Sequence, residues 1–157
     1  MSHEFPNVEW VKKAVRHRLQ DQFIQEWNML VHTSPKGISY RVFKTEWGCE
    51  KYLLELPTCY RIPMCKFRTC NHKLSIEKGR YTNVPRAQRM CNMCDAAQLG
   101  DEFHFLFQCT KLTNIRAQYI PRYYVTRSNT LKMEQLMNVT NKKLRLNIAR
   151  FIRAGLK

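Results

Sequence analysis

Acidic residues are scarce in this chain. Its 157 residues include 27 lysines and arginines against 12 aspartates and glutamates, a formal charge of +15. Glycine and proline are also few, at 5 and 6, which excludes collagen-like and linker-like chains. Apolar runs last only a few residues, too short for a membrane-spanning helix. The opening MSHEFPNVEW lacks the basic-then-apolar pattern of a signal peptide. There is no glycine-rich phosphate loop ending in Lys-Ser/Thr. No pair of aspartates sits in a strand-turn context that could hold two magnesium ions. Enzyme activity is therefore not expected of this chain by itself. With 44% hydrophobic and 25% charged residues, the composition is that of a globular protein rather than a disordered one. The expectation is a folded intracellular protein, nuclear or cytoplasmic, with a polyanion rather than a membrane as partner. Nucleic acid is the commonest polyanion.

The positive excess is uneven. Residues 1–55 hold 8 bases and 7 acids, and residues 56–90 hold 8 bases with Glu77 as the sole acid. Residues 91–103 hold Asp95, Asp101 and Glu102 and no base, and residues 104–157 hold 11 bases with Glu134 alone against them. A basic partner surface must then lie after about residue 60. The plainer alternative is a solvated basic face, which rarely needs so much charge of one sign.

Apolar spacing predicts a mostly α fold, an irregular helical domain with a small metal-bound element. Residues 7–32 read as one long amphipathic helix. Asn7 is its cap, Leu19, Phe23, Trp27, Leu30 and Val31 form its stripe, and the stretch 33–37 ends it. Residues 38–47 suggest a short helix or extended piece. Residues 49–56 resume helical spacing, and 58–71 predict a helix broken or kinked at Pro63. Residues 72–90, with Gly79 and Pro85, read as a surface loop. Residues 101–119 predict helical turns separated near Cys109-Thr110, with Asp101 as a cap. From about 130 the chain reads as helix, with Leu144, Ile148, Phe151, Ile152 and Leu156 on one seam. Three segments follow: 1–57, 58–125 and 126–157.

Seven cysteines, an odd number with no secretion signal before them, argue against a disulfide framework. Four residues have metal-ligand spacing: Cys91-x2-Cys94-x9-His104-x4-Cys109. Two residues between thiolates allow a tight turn to aim both sulfurs at one ion, and a later His and Cys complete a tetrahedron. Soft sulfur with one imidazole suits zinc. Four protein ligands leave no place for a substrate water, so one structural Zn2+ is expected rather than a catalytic one. His104 and Cys109, five residues apart, cannot share the face of a straight helix, so the helix should end or tighten just before Cys109. The competing reading makes these four residues small buried hydrophobes. Cys49, Cys59, Cys65 and Cys70 are read as core residues, and His72 as packed or phosphate-contacting.

The run Phe67-Arg68-Thr69-Cys70-Asn71-His72 through Tyr81 resembles a block near the C-terminus of LINE-type (non-LTR) retrotransposon polyproteins. In that family an arginine and a histidine at a helix end precede a loop and a CCHC cluster. The segments Arg89–Cys94 and Gly100–Cys109 are similar to the family's zinc-binding region, and Arg116 matches the basic residue that often follows the last cysteine. The resemblance covers about residues 50–125. It implies a nucleic-acid-associated module of a reverse transcriptase polyprotein, as a fragment or stand-alone remnant. The family's Tyr/Phe-x-Asp-Asp polymerase turn and its endonuclease core are absent from this sequence.

The two readings join in one expectation. Zinc ties the four ligands into a knot that positions basic residues on phosphates of RNA or DNA. The residues named for this are Arg68, His72, Lys78, Arg80, Arg86 and Arg89 before or beside the knot, and Lys111, Arg116 and Arg122 after it. Tyr81, Tyr119, Tyr123 and Tyr124 could stack on unpaired bases or pack in the core. A rival expectation is a protein-interaction module that docks other chains, such as the missing polymerase domains, through the stripe on 7–32 or the seam on 144–156. A third is a basic tail for a membrane surface or calmodulin.

Overall fold

The computed structural model describes residues 7–36 and 38–157. Gly37 and residues 1–6 lie outside this range. Among the described residues nine α-helices follow one another: α1 (Val8–Thr33), α2 (Tyr40–Phe43), α3 (Lys51–Glu55), α4 (Thr58–Arg68), α5 (Ser75–Tyr81), α6 (Thr113–Tyr119), α7 (Arg122–Val125), α8 (Thr130–Met137) and α9 (Lys142–Gly155). No strand forms among the described residues, and the fold is mostly α as the spacing predicts. None of these helices is long and apolar enough to cross a membrane.

The core is built where α4 packs along α9, with α6 against α9 and α2 against α8. Its spine is a row of aromatic rings. Phe43 of α2 lies 5.9 Å from Phe67 of α4, Phe67 lies 5.3 Å from Phe105, and Phe105 lies 5.3 Å from Phe151 of α9. The expected seam on α9 is real: Ile148, Phe151 and Ile152 are buried, with Leu144 and Leu156 packed at its edge. This single cluster draws on residues from Phe43 to Leu156 and so crosses the divisions at 57 and 125.

Several local readings change. Helix α4 runs unbroken through Pro63, because its buried face, Met64, Phe67 and Arg68, holds it in place despite the missing N–H. The supposed loop 72–90 contains α5 and a 3-10 turn at Arg86–Gln88. Burial of Leu74 and Ile76 outweighs the poor helix propensity of Gly79. Gly79 also leaves room for the Arg89 side chain, whose Cγ a Cβ at this position would meet at 2.6 Å. The C-terminal helix is two helices, α8 and α9, each opened by an asparagine cap: Asn129 and Asn141 accept from the N–H groups of Lys132 and Leu144. Cys70 is buried and Cys65 packs on the core, but Cys49 and Cys59 are exposed. Cys49 sits in the turn before α3, and Cys59 in the first turn of α4 on its solvent side.

Candidate metal centre and basic surface

Two short elements bring the four ligands together. The first is a knuckle over residues 91–98, closed by the antiparallel bridge between Met90 and Leu99. The Cys91 N–H donates to the Gln98 carbonyl at 2.8 Å, and the Met93 N–H points to Cys91 Sγ at 3.4 Å. Gly100 follows where the chain crosses the start of α5. A Cβ there would lie 2.9 Å from Cys91 Cα and 2.9 Å from Ser75 Cβ, so only glycine allows the approach.

The second element is a helical turn opened by Asp101. Its Oδ1 accepts from the His104 N–H at 2.9 Å, fulfilling the capping role. From His104 to Gln108 the turn is π-helical. The Cys109 N–H reaches back five residues to the His104 carbonyl, at 2.8 Å. The helix does end just before Cys109, but it widens instead of tightening. The wider turn is what brings side chains five residues apart onto one side.

The donor atoms of Cys91, Cys94, His104 and Cys109 all lie within 4.8 Å of one another. Cys94 Sγ is 3.2 Å from His104 Nε2. On the far side of the ring, Nδ1 lies 3.0 Å from Gln98 Oε1. The Gln98 oxygen can only accept, so a proton on Nδ1 satisfies it and leaves the Nε2 lone pair free for a metal ion among the sulfurs. Gln98 thus holds the knuckle with its main chain and orients the imidazole with its side chain. No sequence signal singles it out beyond its place between the ligands.

The thiols are unequal. Cys94 is pulled down to about 6, chiefly by a hydrogen bond from the Ala96 N–H, with His104, Cys91 and Cys109 adding to it against slight burial. Cys109 is pushed up to about 11 by burial and by the neighbouring sulfurs of Cys91 and Cys94. Three close sulfurs repel a second and third negative charge, and a cation among them would relieve that repulsion. These four residues can hold a metal ion.

Behind the ligands lies a buried polar chain. His72 Nε2 is 2.8 Å from Glu102 Oε1, and the Ser39 hydroxyl donates to Glu102 Oε2 at 2.7 Å. Burial raises the Glu102 pKa, but the hydrogen bonds and charge of His72 and the bond from Ser39 outweigh it, leaving the carboxyl below its ordinary value. His72 is therefore packed, with its ring 5.5 Å from Phe67 and its side chain wholly buried.

The nine residues named as nucleic-acid contacts divide by burial. Arg68 is 1% exposed and donates to the carbonyls of Met137 and Phe43 at 2.7 and 2.6 Å, while pairing with Glu50. Arg116 is also buried and donates to the Leu106 and Cys109 carbonyls. Arg68 and Arg116 are thus internal braces whose donors are claimed by carbonyls at helix ends, and His72 is held inside by Glu102, so none of the three lies on the surface. Arg89 is half-buried and braces the Val84 and Ile76 carbonyls. Arg80 pairs with Glu77 and lies over Tyr81 at 4.5 Å. Lys78, Arg86, Lys111 and Arg122 are exposed. Tyr81 and Tyr123 are exposed too, whereas Tyr119 and Tyr124 pack on the core.

Acids behave oppositely. After residue 60 only Asp95 is exposed; Glu77 and Glu102 are buried, and Asp101 and Glu134 are partly so. The exposed charge of this part is thus almost all positive. No family model matches this chain, and neither a curated protein nor a solved structure is similar to it.

Proposed function

We propose that the protein is a non-catalytic nucleic-acid-binding module stabilised by one structural zinc ion. The observation that carries it is the convergence of Cys91, Cys94, His104 and Cys109 within 4.8 Å, with the imidazole already turned toward the sulfurs. Three thiolates and one imidazole suit zinc over harder cations, and four protein ligands close the shell against substrate. Bound there, zinc cross-links the knuckle to the π-helical turn. The chain's own residues then present Lys78, Arg86, Lys111 and Arg122, with Tyr81 and Tyr123 among them.

Phosphates of RNA or DNA are the partner that fits such a surface, since each neutralised phosphate releases counterions. Exposed tyrosines beside cations favour unpaired bases. Together with the sequence resemblance, this supports a place beside the polymerase of a LINE-type reverse transcriptase. The test is a titration of single-stranded and duplex RNA and DNA across salt. Replacing Lys78 and Arg86 by Ala should weaken binding and flatten the log–log salt slope by about 2 units for a duplex. An unchanged slope would remove this surface from the interface.

A further inference from the structure

Helix α1 has 26 residues, none of them buried. Leu19 is 61% exposed and Phe23 52%, and Val8, Val11, Val15 and Leu30 are exposed as well. Its C-terminal half is anchored: Phe23 and Trp27 meet Trp47 edge-on at 4.9 and 5.6 Å, and Arg41 donates to the His32 carbonyl. The N-terminal part of the apolar face, from Val8 to Leu19, is left exposed among the described residues. Such a patch marks an interaction site more often than an ordinary surface.

The face has a symmetry. From Val8 through Val11 and Val15 to Leu19 the steps are 3, 4 and 4 residues; from Leu19 through Phe23 and Trp27 to Leu30 they are 4, 4 and 3. Among these seven residues the spacing reads the same in both directions about Leu19, while the exposed Trp10 and Met29 have no apolar mirror partner. Eleven residues make almost three whole turns, so Val8, Leu19 and Leu30 fall on one line of the helix. Charge is reversed about the same centre. Lys12, Lys13, Arg16 and Arg18 precede Leu19 with Glu9 the one acid of that half, in an exposed pair with Lys12, whereas Asp21 and Glu26 follow it, with no Lys or Arg again before Lys36.

A two-fold axis at Leu19 satisfies both patterns. We propose that two copies of this chain pair through α1 as antiparallel helices centred on Leu19. Leu19 then meets its own copy, as an isologous interface requires. Val15 meets Phe23, Val11 meets Trp27 and Val8 meets Leu30. Lys12 falls opposite Glu26, and the basic half of each helix runs along the acidic half of the other. A parallel pair would set Lys12 against Lys12, and an unrelated partner would need no self-complementary pattern. This pairing is independent of the nucleic-acid reading.

Sedimentation equilibrium of the full chain with its metal tests the pairing, with circular dichroism of each variant to verify folding. The expected result is a reversible dimer at micromolar concentration. Leu19→Glu, which sets two carboxylates on the axis, should raise the dimer Kd by about a hundredfold or more. Lys12→Glu and Glu26→Lys should each raise it about tenfold, and the double reversal should restore most of the loss. A folded monomer at every concentration overturns the pairing. So does a dimer indifferent to Leu19→Glu, and a double reversal without rescue overturns its antiparallel register.

Discussion

Helix α1 and the body from α2 to α9 use their side chains in opposite ways. The helix leaves leucine, valine and phenylalanine in water. The body buries Arg68, Arg116 and Arg145 while its apolar residues fill the core. The difference lies in the backbone each must satisfy. One long helix pairs its own interior N–H and C=O groups and has only two ends, and a single arginine, Arg41, meets a carbonyl of its last turn. A body made of short helices has many ends, each with orphan carbonyls. Arg68 binds the last carbonyls of α2 and α8, Arg116 those around the π-helical turn, and Arg145 those of Val139 and Thr140 between α8 and α9. Buried arginine is thus the cost of short helices.

The largest expected effect breaks the buried side of this contrast. Arg68→Met should destabilise the fold by about 3 to 5 kcal/mol in denaturant melts, since it leaves the Met137 and Phe43 carbonyls and Glu50 without their partner. A loss below about 1 kcal/mol would mean that water replaces the guanidinium and that bracing is not its role.

Glu102 gives a smaller effect with a pH signature. Its folded pKa lies below the ordinary value, so its stabilising contribution is fully present at neutral pH and disappears as pH falls through the folded pKa, below 4.5. Glu102→Gln should cost about 1 to 2 kcal/mol at neutral pH. The gap between the two proteins should close in acid, read from paired melts across pH. A gap of constant size would show that packing, not charge, is what the carboxylate supplies.

The sequence announced the two features that depend on local spacing. The Cys-x2-Cys…His…Cys pattern needs only a knuckle and one turn, and the α9 seam needs only helical periodicity. The caps Asn7 and Asp101 belong to the same class. What stayed hidden depends on distant partners. Nothing near Arg68 shows that the ends of α2 and α8 will lie beside it, 25 and 69 residues away. The same holds for His72 and Glu102, and for Gln98, whose neighbours in space decide its role. Helix α5 was obscured by Gly79, whose missing side chain makes room for Arg89. The stripe on α1 was visible, but not that Trp47 would meet Phe23 and Trp27 while Leu19 stays exposed.

The smallest expected effect sharpens the exposed side of the contrast. Val15→Ala in dilute solution, below the dimer concentration, should change stability by less than about 0.5 kcal/mol, because the side chain is 52% exposed. A loss of core-like size in a denaturant melt would show that α1 is covered by its own chain.

The central claim concerns the metal. Native mass spectrometry of the intact chain, purified without chelator, tests it most directly. The account predicts about one zinc per folded chain, with the added mass lost in Cys109→Ser. A metal-free chain that keeps the folded charge-state distribution would contradict it.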